Sequence, residues 1–203
     1  MSHKCFISFK KEDSDYKDLL ISLLAREDVV GWALDREIQS NDSDYILQVI
    51  RDDYLSYSTV TLFLIGKHSS EKEGSDYWGR PHNYFIQREL QASLFNGRGN
   101  TRNGIVGIVL PEMYNAIYGE TYLCSDCLGY HTYININDDT VIREFSANYF
   151  IEPHVGCSWL EDDRYCVLSK WDDFIISPDR YINQAYSKRF SSIANKIKVR
   201  NFR

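Results

Sequence analysis

The sequence predicts an α/β domain built on a parallel sheet with helices on both faces. Four short runs rich in apolar and β-branched residues, near 4–9, 29–35, 59–66 and 104–110, are separated by longer polar and amphipathic stretches. Between the first two, Tyr16, Leu19, Leu20, Leu23 and Leu24 recur at i, i+3, i+4, i+7 and i+8, the stripe of a helix lying on a sheet. Thr59 to Gly66 and Gly104 to Leu110 are almost continuously apolar, as strands covered on both faces must be. Strand and helix in strict alternation is the signature of right-handed crossovers and a parallel sheet.

Each element has its own local reason. Lys4 to Phe9 reads as a buried first strand, and the charged turn Lys10-Lys11-Glu12-Asp13 ends it, with Asp13 or Ser14 placed to cap a helix. Val29 to Asp35 is a second strand, followed by a polar loop to Asp42. Ser43 then caps a helix marked by Ile46, Val49 and Ile50. Lys67 to Arg80 is an irregular polar insert, and a helix from about His82 to Asn96 stops at Gly97-Arg98-Gly99-Asn100. Tyr130 to Ile136 and Tyr165 to Leu168 read as short strands. Ser177-Pro178 opens a last helix carrying Ile182, Ala185, Tyr186, Arg189, Phe190, Ile193 and Ile197, and the basic run Lys196 to Arg203 is expected to cap its end. No linker or repeat divides the chain. We expect one domain over 1–203, a core at 4–111 with an extension, 112–203, packed on it.

Composition narrows the function classes. At 203 residues, 43% hydrophobic and 14% aromatic, the chain can bury one substantial core. A net charge of −6 speaks against nucleic acid as a partner, because phosphate contacts need concentrated Lys and Arg. No apolar run approaches the length of a membrane span, and Met1-Ser2-His3-Lys4-Cys5 holds no signal segment, so a cytoplasmic protein with no membrane partner is expected. Five cysteines at 5, 124, 127, 157 and 166 fit free thiols in a reducing compartment.

Several site types are missing. No Gly-x-x-x-x-Gly-Lys-Ser/Thr loop is present, Gly97-x-Gly99 follows a helix instead of a strand, and no Gly-x-Ser-x-Gly elbow marks a nucleophile. The third strand ends Ile65-Gly66-Lys67-His68, without the aspartate a phosphoreceiver domain needs there. Cys124-x-x-Cys127, with His131, His154, Cys157 and Cys166 downstream, can make a zinc site. The irregular step from Cys157 to Cys166 argues against it, so unligated thiols and no metal are expected.

In parallel sheets of this type ligands sit beyond the carboxyl ends of the strands. Ser58 to Lys67 followed by Asn83-Tyr84-Phe85-Ile86-Gln87-Arg88-Glu89-Leu90 resembles the core of TIR domains, in which a buried strand ends in a polar loop and the next helix carries an aromatic-x-x-x-Glu-Leu motif or a close variant. Phe6-Ile7-Ser8-Phe9 with Asp13 resembles the first strand of that family, and Trp32-Ala33-Leu34-Asp35 stands where its second strand and following loop belong. The closest flavour is the bacterial TIR-like group that serves as the NAD-consuming subunit of Thoeris anti-phage systems. The likeness spans roughly residues 4 to 111, and the insert Lys67 to Arg80 departs from it.

The resemblance implies a flavodoxin-like fold and cleavage of the nicotinamide–ribose bond of NAD+, a substrate and not a retained cofactor. Nicotinamide leaves as a neutral group from a cationic ring, so the chemistry needs a carboxylate near the ribosyl oxocarbenium ion and no metal. Glu89 is the expected catalytic carboxylate, although an exposed helical glutamate is the commoner fate of such a residue. Ser8, Phe9 and Lys10 at the end of the first strand, Trp32 as a stacking ring and Asp35 toward a ribose hydroxyl are expected to bind substrate. Phe9 and Trp32 read equally well as core, and Asp35 as a loop cap. His82 and Tyr84 flank the cleft. The product would be an ADP-ribose-derived signal for a downstream effector protein, and self-association fits the family. Two rivals stay open: a nucleoside deoxyribosyltransferase-like enzyme with the same sheet and carboxylate, and a non-enzymatic TIR scaffold.

Overall fold

The computed structural model describes residues 3–26, 30–33, 40, 42–77, 79–97 and 101–200. In chain order the elements are β1 (Lys4–Ser8), α1 (Ser14–Arg26), β2 (Val30–Ala33), α2 (Ser43–Val49), β3 (Val60–Ile65), α3 (Tyr84–Leu94), β4 (Gly104–Val109), α4 (Tyr114–Ile117), β5 (Tyr118–Leu123), β6 (Tyr130–Ile134), α5 (Arg143–Tyr149), β7 (Val167–Lys170), α6 (Trp171–Ile176) and α7 (Pro178–Lys188). Asp42 caps α2, its Oδ1 accepting the Tyr45 N–H at 3.2 Å, so the cap lies one residue before the Ser43 expected. The helix continues in wider π turns over Ile50–Leu55.

Five strands form one parallel sheet in the order β2-β1-β3-β4-β7. This is the flavodoxin-like doubly wound arrangement the sequence predicts. The first four strands fall where expected, within the predicted ranges. The fifth comes from the C-terminal extension and pairs Val106 with Val167 through Val109 with Lys170. The extension therefore completes the sheet, two residues later in sequence than the predicted 165–168 strand.

Alternation along the strands sends side chains to two faces. Cys5, Ile7, Leu62, Leu64, Val106 and Ile108 pack with Leu20 and Leu24 of α1, Phe174 of α6, and Ile182 and Ala185 of α7. On the other face Phe63, Ile65, Ile105 and Val109 meet Ile86, Leu90 and Leu94 of α3 and Phe145 of α5, while Phe6 meets Ile46, Ile50 and Ala92. A Cβ on Gly104 would lie 2.0 Å from the Ala185 carbonyl oxygen, so only glycine lets α7 seat this closely on β4.

The last helix is shorter than the periodicity predicts. It ends at Lys188, and Ile193 sits in a separate 3-10 turn, Ser192–Asn195. The apolar spacing persisted because Ile193 and Ile197 still pack on the core, through a bent chain instead of a helix. The basic run does not cap that helix. Arg200 instead places its guanidinium between Glu71 and Glu144, with a closest contact of 2.7 Å to each. β5 and β6 make a separate antiparallel hairpin, of which the sequence reading saw one strand.

Candidate active site

The strand order reverses at β1, whose chain successor β2 lies on one side and β3 on the other. A crevice beyond the carboxyl ends of β1 and β3 is where ligands bind in such sheets. Ser8 ends β1 and shares the parity of Phe6, so its side chain points to the α3 face. There its hydroxyl donates a 2.6 Å hydrogen bond to Glu89 Oε2.

Glu89 is not the exposed helical glutamate that base composition favours. It is 5% exposed, and nine consecutive residues of α3, Ile86 to Leu94, are buried. The helix is enclosed because the sheet, the π turns after α2, and α5 all pack around it. The Gln91 amide also donates to the Arg200 carbonyl at 2.7 Å. Burial pushes the Glu89 carboxyl up from its usual 4.5 to about 8, while the Ser8 hydroxyl acts in the opposite sense by favouring the ionised form. At neutral pH the unliganded carboxyl is therefore mostly protonated.

Behind Glu89 lies a polar ladder. Ser93 Oγ donates to the Glu89 carbonyl at 2.8 Å and shares a 2.7 Å hydrogen bond with Thr61, which accepts from Asn103 Nδ2 at 3.0 Å. These hydrogen bonds hold the turn of helix that carries Glu89 against β3, with Asn103 Oδ1 the one oxygen of the ladder left without a partner among the described residues.

Lys10 Nζ donates to the His82 carbonyl at 3.0 Å, tying the end of β1 to the segment that starts α3. Beside that tie is a cleft of about 160 Å³ lined by Asp76, Arg80, Pro81, His82, Tyr84 and Phe85. Glu89 is not in its wall; it follows Phe85 by one helical turn on the same side of α3. The cleft is smaller than the roughly 300–1,000 Å³ of typical small-molecule sites, so a dinucleotide needs more wall than these six residues supply. A larger cleft, about 290 Å³ and lined in part by Glu161, Arg164, Arg180 and Tyr181, borders Val167 at the amino end of β7, the opposite end from the Ser8–Glu89 pair.

Phe9 packs partly buried on the α1 face, with Lys17 Nζ 5.5 Å from its ring centre, and is not brought to Glu89. Trp32 lies in edge strand β2, its backbone paired beside Phe6. Asp35 lies outside the described residues. His82 and Tyr84 both line the cleft.

Asp13, like Ser14, is placed in sequence to cap the helix after β1. It sits instead in the 3-10 turn Lys11–Asp13, buried, with an Oδ2 that has no hydrogen-bond partner among the described residues. Burial first, then the nearby Glu112 and Glu12, raise its carboxyl to about 6. A Cβ on Gly66 would stand 2.5 Å from that carboxylate, so the residue after β3 must be glycine for Asp13 to lie against it. The insert after Gly66 is anchored, not loose. Ser69 Oγ accepts the Gly66 N–H at 3.0 Å, Asn83 Nδ2 donates to the Ser70 carbonyl at 2.5 Å, and Glu71 is held by Arg200.

Three of the cysteines expected to stay apart converge. Cys124, Cys127 and Cys157 come together with His131, their ligand atoms all within 4.8 Å of one another. Cys166 does not join them; it is buried in the sheet core.

A doubly wound parallel sheet of this strand order, with a buried Ser8–Glu89 pair beyond the end of β1, is a flavodoxin-like architecture with a polar site at its crossover point, as a TIR-like domain would have. Residues 6–114, more than half of the chain, match the family described as Thoeris protein ThsB, TIR-like domain, and the chain belongs to that family. The match ends before β5, so the hairpin, the fifth strand and the cysteine cluster all lie beyond it. Membership fits a role in Thoeris anti-phage defence. No helix among the described residues is long and apolar enough to cross a membrane.

Proposed function

We propose that this domain cleaves the nicotinamide–ribose bond of NAD+ with Glu89 as the catalytic carboxylate. The observation that supports it is the buried Ser8–Glu89 pair at the crossover point of the sheet. In the proposed step the C1′–N1 bond breaks and its electron pair passes to the pyridine nitrogen, which leaves as neutral nicotinamide. An acceptor hydroxyl attacks C1′ and gives up its proton. With water as acceptor the products are ADP-ribose, nicotinamide and a proton; an internal acceptor yields a cyclic isomer.

The raised pKa of Glu89 has a role in this reading. A cationic nicotinamide riboside brought beside the carboxyl favours its ionised form, since an opposite charge at close range lowers a carboxyl pKa. The resulting carboxylate, little screened by water, then stabilises the oxocarbenium ion as charge moves from the ring onto the ribose. Ser8 orients the carboxylate, and Lys10 and His82 border the way in. The product would act as a signal on a downstream effector, with no metal or retained cofactor in the step.

Nicotinamide release from NAD+ by wild type and Glu89→Gln tests the assignment. Turnover should fall by at least ~10², the usual effect of removing one preorganised electrostatic contact, with KM little changed. A variant turning over within a few-fold of wild type would remove Glu89 from the mechanism. Base release from a deoxynucleoside instead of NAD+ would favour the transferase reading. No turnover of either substrate, even in extract from phage-infected cells, would favour the scaffold.

A further inference from the structure

We propose that Cys124, Cys127, His131 and Cys157 bind a structural zinc ion that pins the β5–β6 hairpin to the loop after α5. The four donor atoms lie within 4.8 Å of one another. His131 Nε2 is 3.0 Å from Cys127 Sγ and 3.3 Å from Cys157 Sγ. A tetrahedral zinc with bonds of about 2.3 Å to sulfur and about 2.0 Å to nitrogen sets its ligands about 3.5–3.8 Å apart, so small side-chain adjustments complete the shell. Three thiolates and one imidazole are a soft donor set that favours zinc over the hard cations magnesium and calcium. Four protein ligands leave no open position, which assigns the ion a structural and not a catalytic part.

The backbone is shaped for the site. Cys124 directly follows β5, and the turn is closed by the Leu128 N–H on the Cys124 carbonyl at 3.0 Å and the Cys124 N–H on the Gly129 carbonyl at 2.8 Å. Leu128 has φ of 56°, an uncommon left-handed conformation for leucine. That conformation turns the Gly129 N–H back toward Cys127 Sγ, 3.4 Å away, where it offsets thiolate charge. The two other candidate ligands are otherwise engaged. His154 stacks on Trp159 with ring centres 3.6 Å apart, and Cys166 is 1% exposed in the core.

The hairpin supplies an independent reason. A two-stranded antiparallel ribbon is marginal by itself in water. Here Glu120 to Leu123 are all exposed, and Tyr122, Leu123, Leu128, Tyr130 and Tyr133 leave between 48% and 77% of their surface in solvent. Apolar burial therefore does little to hold its tip. A metal joining residues 124, 127 and 131 to residue 157 supplies the missing cross-link, as metals do in other small scaffolds. The proposal is independent of the NAD+ reading.

Metal analysis of the full chain, purified under reducing conditions without chelator, should find about one zinc per chain. The Cys124→Ser/Cys157→Ser double variant should lose it, and His154→Ala should keep it. Chelation should expose 118–134 to limited proteolysis while the sheet core survives. Cobalt added to the stripped wild type should give the intense visible bands of tetrahedral thiolate ligation. Wild type that lacks zinc and fails to retain it after incubation with excess zinc and desalting would overturn the proposal. So would iron in its place, a disulfide among these cysteines under the same reducing conditions, or a double variant that binds zinc as well as wild type.

Discussion

Ser8 and Glu89, 81 positions apart in sequence, share a buried 2.6 Å hydrogen bond that joins the end of the first strand to the middle of the third helix. The contact follows from two periodicities. Ser8 faces α3 because it is two residues on from Phe6, and Glu89 faces the sheet from within a run of α3 that is buried on all sides. One hydroxyl thereby tempers the effect of burial on the one carboxyl on which the proposed chemistry depends.

Stability should report that ionisation directly. The folded carboxyl is raised from 4.5 to about 8 by burial, so between these values the native state holds a proton that the unfolded chain releases. Stability from this group is present at low pH and is lost as pH rises toward 8, at up to about 1.4 kcal/mol per pH unit. Glu89→Gln lacks this dependence. The melting temperature of the variant minus that of wild type should be small at pH 5 and grow by several degrees by pH 8, at about 2–4 °C per kcal/mol. A difference that stays flat across that interval would show that Glu89 is not buried as a neutral acid.

Ser8→Ala should move the pH profile more than the maximum rate. The hydroxyl favours the ionised carboxyl, so its loss raises the Glu89 pKa further. Hydrogen bonds to charged groups contribute roughly 1.5–3 kcal/mol, enough to displace the rising limb of kcat/KM upward by about one pH unit. Activity at pH 7 should drop and recover toward wild type at high pH. An equal loss at every pH would mean that Ser8 serves only packing.

Arg200→Ala should destabilise the fold by about 2 kcal/mol, the usual cost of removing hydrogen bonds to charged groups from a part-buried cluster. Burial raises both Glu71 and Glu144. Donors from Arg200 and the Arg143 backbone outweigh it at Glu71, whose net shift is downward, while Arg200 and the residue's own backbone N–H only partly offset it at Glu144, whose net shift is upward. Arg200→Lys should recover little, because a single ammonium cannot reproduce the forked contacts to both carboxylates. Chemical denaturation gives the number, and a loss below about 0.5 kcal/mol would show the cluster to be superficial.

The parallel sheet was legible because its determinants are local. Val60–Ile65 and Gly104–Val109 are buried throughout and apolar but for Thr61, and the stripe from Tyr16 to Leu24 has helical period, whatever else the chain does. Glu89 was found through its motif and its position after the third strand. What the one-dimensional pattern could not supply was burial and pairing across long separations. Asp13 reads, like Ser14, as a possible cap until Gly66 is seen to leave room for its carboxylate, and Phe9 reads equally as cleft or core until alternation turns it to the α1 face. The end of α7 was missed because Ile193 and Ile197 keep apolar spacing while packing from a bent chain. For the cysteines, spacing ranked Cys166 beside Cys157, yet only a hairpin folded back toward residue 157 could select His131 and exclude Cys166. Secondary structure answers to neighbours a few residues away, whereas the charge state of a carboxyl and the members of a ligand cluster answer to atoms that only the closed fold brings within hydrogen-bond reach.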